Sequence, residues 1–399
     1  MKKILIVVKD NLETKLLCNS IILNKFLKNK KIFLITQTNE KYYRQEILKV
    51  RNDVNLVKFH IKRNKITLFL YKVSFFIEHL ASINKSISSY QKVLFLLKLK
   101  SENILDKKYY KKNFAKLKFF HQIAKMLNFD YLSIFRKKSN LYDFDYILFS
   151  RPDDIDNLDI YNTYSSRKTK VVTLIRNFDT PCLKRLFVIP SDITLYYDEH
   201  IKKLVQNNLS SQKYAKLKKM PYYLDNYDVE SLYKYNSEEY VIYATSQKEF
   251  FSNNISEEEL INSILEILSE KNIKLIIRVH PNHKNEYMSL KLKGNFSIQN
   301  ELYSIFKTNE NKEIEMLTQR DIINYISFLK NAKCLLTNGS TIAYDAYNLR
   351  INTYFINLDD NWMLYEREHL QELISMGIKK LRTMSQLEFE LKRIIYETN

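Results

Sequence analysis

Short apolar or β-branched runs alternate along this chain with longer stretches in which apolar residues recur every three or four positions. Runs of four to seven residues bounded by polar turns predict strands, and the longer period predicts helices. Together they predict a parallel sheet covered by helices on both faces. In the first half the predicted strands are Ile4–Val8, Lys31–Thr36, Val54–His60, Tyr146–Ser150, Val171–Ile175 and Ile193–Tyr197. The second half repeats the rhythm with Tyr240–Thr245, Lys274–Val279, Ile314–Leu317, Cys334–Thr337 and Thr353–Asn357, separated by helical patterns such as Glu257–Lys271 and Asp321–Asn331. The expectation is an α/β protein of two Rossmann-like domains, 1–225 and 236–399, which a chain of 399 residues is long enough to build. The stretch from Pro221 to Glu238 is rich in Tyr, Asp and Asn, has no periodicity, and reads as the linker.

Composition narrows the picture. Hydrophobic residues make up 45% of the chain and aromatic residues 13%, which excludes a disordered protein. The net charge of +19 implies an anionic partner: lipid headgroups, nucleic acid or a phosphorylated substrate. Cys18, Cys182 and Cys334 are odd in number and far apart, which fits neither a disulfide framework nor a zinc site and points to a reducing, cytoplasmic compartment. No run approaches the ~20 apolar residues of a membrane span. A basic helical insertion, about 61–140, interrupts the first domain. Within it, Gln91–Lys138 interleaves lysines with Tyr109, Tyr110, Phe114, Phe119 and Phe120. Two readings stay open for it: an interfacial helix in peripheral contact with an anionic inner-membrane surface, or a solvated face of a lysine-rich protein. A nucleic-acid-binding protein ranks lower, since no nucleic-acid module signature is visible.

Candidate chemistry concentrates in the second half. Gly294, Gly339 and Gly377 are the only glycines in the sequence, which excludes a P-loop and the glycine-rich dinucleotide fingerprint. Gly339 follows an apolar strand in the run Thr337-Asn338-Gly339-Ser340-Thr341 and precedes a helical pattern, Ile342–Leu349. Backbone N–H groups at that helix start, with the Ser340 and Thr341 hydroxyls, suit an anion; an ordinary helix cap is the alternative. The strand Lys274–Val279 delivers Arg278, His280 and Pro281 at its carboxyl end, where open α/β sheets bind ligands. Lys248 is a further phosphate candidate or a solvent-facing lysine. Asp143-Phe144-Asp145 spells a metal-binding triplet but precedes its strand, and Asp359-Asp360 reads as a turn.

The order strand-Arg-x-His-Pro, then Asp-Ile-Ile-x-x-Ile-x-x-Leu-x-x-Ala-Lys, then strand-Thr-Asn-Gly-Ser-Thr and Ala-Tyr-Asp-Ala resembles the C-terminal half of bacterial GT-B glycosyltransferases. These are enzymes of surface-polysaccharide and teichoic-acid assembly, among them CDP-glycerol glycerophosphotransferases and capsule or lipopolysaccharide sugar transferases. The resemblance covers residues 240–360. It implies a GT-B fold with an interdomain cleft, an N-terminal acceptor domain and a C-terminal donor domain. His280, Ser340 and Thr341, within the set Arg278, His280, Pro281, Asn338, Gly339, Ser340 and Thr341, would then hold the phosphates of a nucleotide-sugar donor, and Asp345 the ribose hydroxyls. That family more often carries Glu and Ser-Ser where this chain has Asp345 and Gly339-Ser340-Thr341. Leu174–Asp179 is similar to an Arg-x-Trp-Asp segment of some such enzymes, with Phe178 in place of tryptophan.

The implied reaction is transfer of a sugar to a glycan or lipid-linked acceptor, inverting and independent of a metal, with a CMP-sugar favoured over a UDP-sugar. His280 and Asp179 are its catalytic candidates. Asp179 is the expected base, Asp153 and Asp154 compete for that role, and a turn-capping role for Asp179 is the alternative. A nucleotide-sugar epimerase or hydrolase on the same fold is the rival reading.

Overall fold

A computed structural model describes residues 1–8, 27–36, 52–59, 143–175, 189–208, 215–224, 239–245, 255–279, 287–299, 319–358 and 368–396, with the isolated residues 48, 178 and 181 and without 153, 155, 221, 223, 288 and 341. The basic insertion and the linker's 225–238 lie outside the described residues. The chain divides into two compact units, Met1–Asn226 and Tyr227–Asn399.

In the first unit the described strands are β1 (Lys2–Val7), β2 (Lys30–Ile35), β3 (Val54–Leu56), β4 (Tyr146–Phe149), β5 (Lys170–Leu174), β6 (Ile193–Tyr196) and β7 (Lys216–Lys219). They form one parallel sheet in the order β3-β2-β1-β4-β5-β6-β7, with helices α1 (Asp156–Tyr164) and α2 (Glu199–Asn208) in the later crossovers. Leu5, Ile147 and Phe149 are fully buried, as central strands covered on both faces require. The edge strand β7, Lys-Leu-Lys-Lys, has no apolar pattern, and its lysines blunt an open edge against further pairing.

The second unit repeats the topology. Its described strands β8 (Tyr240–Ala244), β9 (Lys274–Arg278), β10 (Phe296–Gln299), β11 (Ala332–Thr337), β12 (Thr353–Ile356) and β13 (Lys379–Leu381) pair in parallel in the order β10-β9-β8-β11-β12-β13. The strand beside β9 is Phe296–Gln299; the expected Ile314–Leu317 lies outside the described residues. Both sheets reverse direction beside their first strand, between β1 and β4 and between β8 and β11. This is the doubly wound Rossmann pattern, in which the crevice at the carboxyl ends of those two strands receives ligands.

Helices cover the second sheet on both faces. Helix α3 (Glu257–Ser269) opens with a capping box: Ser256 Oγ accepts from Glu259 N at 3.1 Å, and the Glu259 carboxylate accepts from Ser256 N at 2.7 Å. Its apolar stripe Leu260, Ile261, Ile264, Leu265 and Leu268 packs with α7 (Met384–Tyr396) against Val241, Tyr243, Leu275, Ile277 and Leu336. Alternation along the strands turns Ile276, Arg278, Ala244, Thr337 and Phe355 to the opposite face. There lie α4 (Gln319–Lys330), whose Phe328 stacks on Tyr240, and the helices α5 (Ile342–Asn348) and α6 (Glu368–Ser375). A move from β8 to β9 and a move from β11 to β12 run in opposite directions, so right-handed crossovers put α3 and α5 on opposite faces.

Helix α5 ends on Arg350, whose φ is +58° and whose N–H bonds Tyr347 O at 2.9 Å. A side chain in that left-handed conformation costs about 1–2 kcal/mol that glycine avoids. Arg350→Gly is therefore expected to stabilise the protein by about 0.5–1 kcal/mol after the greater freedom of the unfolded glycine is subtracted, read as a rise in urea midpoint.

Candidate functional site

The register of the second sheet fixes what faces its carboxyl edge. Gln299 pairs with Arg278, Arg278 with Ala244, Ala244 with Thr337 and Thr337 with Phe355. Arg278 and Thr337 therefore stand in one row, two strands apart across β8, at about 10 Å by strand spacing, and their side chains lie on the same face. The loops that leave β9 and β11 start from the same edge.

Polar atoms without partners gather along this edge. Arg278 Nε is buried and donates no hydrogen bond among the described residues, and Oε1 of its neighbour Gln299 accepts none. One strand beyond Thr337, the side-chain amide of Asn357 is likewise unpaired, in a residue only 1% exposed. Each such group costs about 1–3 kcal/mol relative to a paired one, so an edge that collects them is suited to a polar ligand.

The turn after β11 is built by its own threonine. Thr337 Oγ1 accepts from Gly339 N at 3.3 Å and from Ser340 N at 3.0 Å, and Ala343 N bonds Ser340 O at 3.2 Å as α5 begins. Two N–H groups expected to face an anion are thus taken by Thr337. The Ser340 hydroxyl is a further donor at this turn. Gly339 has a φ of +125°, a conformation that L side chains rarely adopt. Asn338 is 3% exposed, and Ser340 is half-buried and lines a small apolar cavity with Thr337, Ala343, Phe355, Leu370, Leu373 and Ile378. Asp345, half-buried in α5, accepts a hydrogen bond from Tyr325 Oη at 2.5 Å.

His280, Pro281, Thr341, Asp179, Asp153, Lys248, Asp359 and Asp360 lie outside the described residues. The described residues on either side of His280 and Pro281 are Val279 and Tyr287. Val279 N bonds Gln299 O at 3.4 Å, and the Tyr287 hydroxyl donates to Glu257 Oε2 at 2.5 Å. The other oxygen of Glu257 accepts from Tyr243 at 2.9 Å. Burial, with the Glu257 carboxylate second, holds the Tyr243 phenol well above its usual range, so it stays a donor. The sequence shows the helical pattern Glu257–Lys271, but nothing in it pairs Glu257 with Tyr287.

Other candidates have structural partners. Asp154 Oδ1 accepts the Asp156 N–H at the start of α1, at 3.1 Å. Asp145 accepts from Lys3 N at 2.8 Å, at the amino edge of the first sheet. Glu199 opens α2 and is paired with Lys202 at 2.8 Å; the hydrogen bond from Lys202 lowers its pKa. Phe178 is 3% exposed. Burial pushes the Cys334 thiol up to about 12, so it is neither thiolate nor ligand near neutral pH. Among the described residues, no helix is long and apolar enough to cross a membrane.

No protein-family model matches the chain, and no curated protein matches it by sequence. Solved structures to which it is similar include UDP-N-acetylglucosamine 2-epimerase from Rickettsia bellii, at 16% identity and a TM-score of 0.49 over 100% of this chain and 89% of that one. The Methanocaldococcus jannaschii UDP-GlcNAc 2-epimerase in complex with UDP-GlcNAc and UDP gives 14% and 0.47 over 99% and 93%. The E. coli heptosyltransferase WaaC with ADP gives 9% and 0.38 over 98% of each chain.

Because Gly339 holds a left-handed conformation inside a turn fixed by two hydrogen bonds, Gly339→Ala is expected to cost about 1–3 kcal/mol of stability. Chemical denaturation measures this, and a loss under about 0.5 kcal/mol would mean that the turn is not constrained as described.

Proposed function

We propose that this chain is a glycosyltransferase of the GT-B type, its second Rossmann-like unit holding a nucleotide-activated sugar and its first an acceptor. The observation that supports it best is Arg278 Nε, unpaired among the described residues and in the same row and on the same face as Thr337, at the ligand end of a doubly wound sheet. In this reading Arg278, His280 and Pro281 flank the donor phosphate from the β9 side. Asn338, Gly339 and the hydroxyls of Ser340 and Thr341 meet it from the β11 side, and Asp345 takes the ribose.

The proposed chemistry runs through a single displacement. Asp179 accepts the proton of an acceptor hydroxyl, whose oxygen attacks the anomeric carbon as the bond to the phosphate oxygen breaks. The nucleotide leaves with its added negative charge steadied by Arg278, His280 and the hydroxyl donors, and no metal is needed for that step. A CMP-sugar is favoured as donor over a UDP-sugar. The acceptor is a surface glycan or a lipid-linked oligosaccharide, met at the cytoplasmic face of the membrane, to which a chain of net charge +19 is attracted.

Two measurements test this. In a thermal-shift screen of CMP, CDP, UDP and GDP, one nucleotide is expected to stabilise the protein by about 2.7 kcal/mol at a hundredfold excess over its Kd. His280→Ala should slow sugar transfer by about 100-fold or more with an unchanged melting temperature. Unchanged turnover removes the phosphate role of His280, and sugar released or isomerised without any acceptor assigns an epimerase or hydrolase instead.

A further inference from the structure

The hydrogen bond between Tyr325 and Asp345 joins the two helices that bracket the candidate turn. Helix α4 runs into β11 and α5 leaves it, so the bond closes over the strand that ends in Thr337. Tyr325 is 8% exposed, with its ring packed and only its hydroxyl carrying polarity, and the acceptor is a carboxylate in the first turn of α5. A phenol that donates to a carboxylate makes a hydrogen bond about twice as strong as one between neutral groups. It also selects one side-chain rotamer of the aspartate from the staggered set.

We propose that Tyr325 is a positioning residue, which holds the Asp345 carboxylate in the orientation that receives the ribose hydroxyls of a nucleotide. This rests on the donor-site reading given above and adds to it a residue, and a source of discrimination for ribose, that the site motifs do not contain. A carboxylate has about four acceptor directions, of which the bond from Tyr325 takes one. Without the phenol the aspartate would have to be ordered as the ligand binds, and that ordering would weaken affinity only for ligands that use it. The cost therefore falls on ribose recognition, whereas a purely structural tie between α4 and α5 would weaken every ligand alike.

Tyr325→Phe removes one hydroxyl and keeps the buried ring, and Asp345→Asn keeps an acceptor for Tyr325 while removing the charge. Titration calorimetry with the responding nucleotide and its 2′-deoxy and 3′-deoxy counterparts compares the two variants with the wild-type protein. Expected is a wild-type preference for the ribonucleotide that falls by about fivefold to tenfold in Tyr325→Phe, with affinity for at least one deoxy form unchanged. Equal weakening for all three nucleotides, or a Tyr325→Phe preference equal to wild type while Asp345→Asn loses it, overturns the positioning role and leaves the donor site standing. A preference unmoved in both variants removes the ribose role of Asp345 as well. If the wild-type protein binds none of the nucleotides, the donor site itself fails. Should Tyr325→Phe not fold, Tyr325→Met, which fills much of the same space without a hydroxyl, is expected to lower the same preference, and an unchanged preference in it overturns the inference.

Discussion

Parallel pairing of β9, β8 and β11 is the constraint from which the rest of the second unit follows. Strands that run the same way release all their following loops at one edge, and the register puts Arg278 and Thr337 level with each other on that edge. The order β10-β9-β8-β11-β12-β13 then opens a crevice between β8 and β11, because the chain turns away from that point in both directions. Tyr243 and Ile242, both at 0% exposure, bury β8 on its two faces between β9 and β11.

The turn after β11 illustrates how a local hydrogen bond redirects chemistry. By capping Gly339 and Ser340 with its own hydroxyl, Thr337 converts a potential backbone nest into a fixed turn that displays a serine side chain. With those two main-chain N–H groups occupied, the donor this turn presents is the Ser340 hydroxyl. The neighbouring Glu257, clamped by Tyr243 and Tyr287, anchors the far end of the segment that starts at Val279.

The strands that were legible in the sequence are those buried on both faces. β8, β9 and β11 read as continuous apolar runs because helices cover both of their sides. β7, β10 and β13 were not read, since each is an edge strand of three or four residues in which exposure removes the apolar signal. Gly339 stood out through the scarcity of glycine, and the Arg-x-His-Pro strand end through its position. Thr337 as an acceptor was hidden behind the more familiar capping role of Ser340. Tyr325 was invisible for another reason: it meets Asp345 from a different helix, 20 residues earlier, and no sequence spacing encodes that contact.

The central claim is that the loops leaving β9 and β11 close on one ligand. Hydrogen exchange of the whole chain, with and without the stabilising nucleotide, tests it most directly. The account predicts that amides just beyond Arg278 and those of residues 338–345 gain protection together, at the same nucleotide concentration. Protection at only one of these segments, or at the amino ends of the strands, would contradict it.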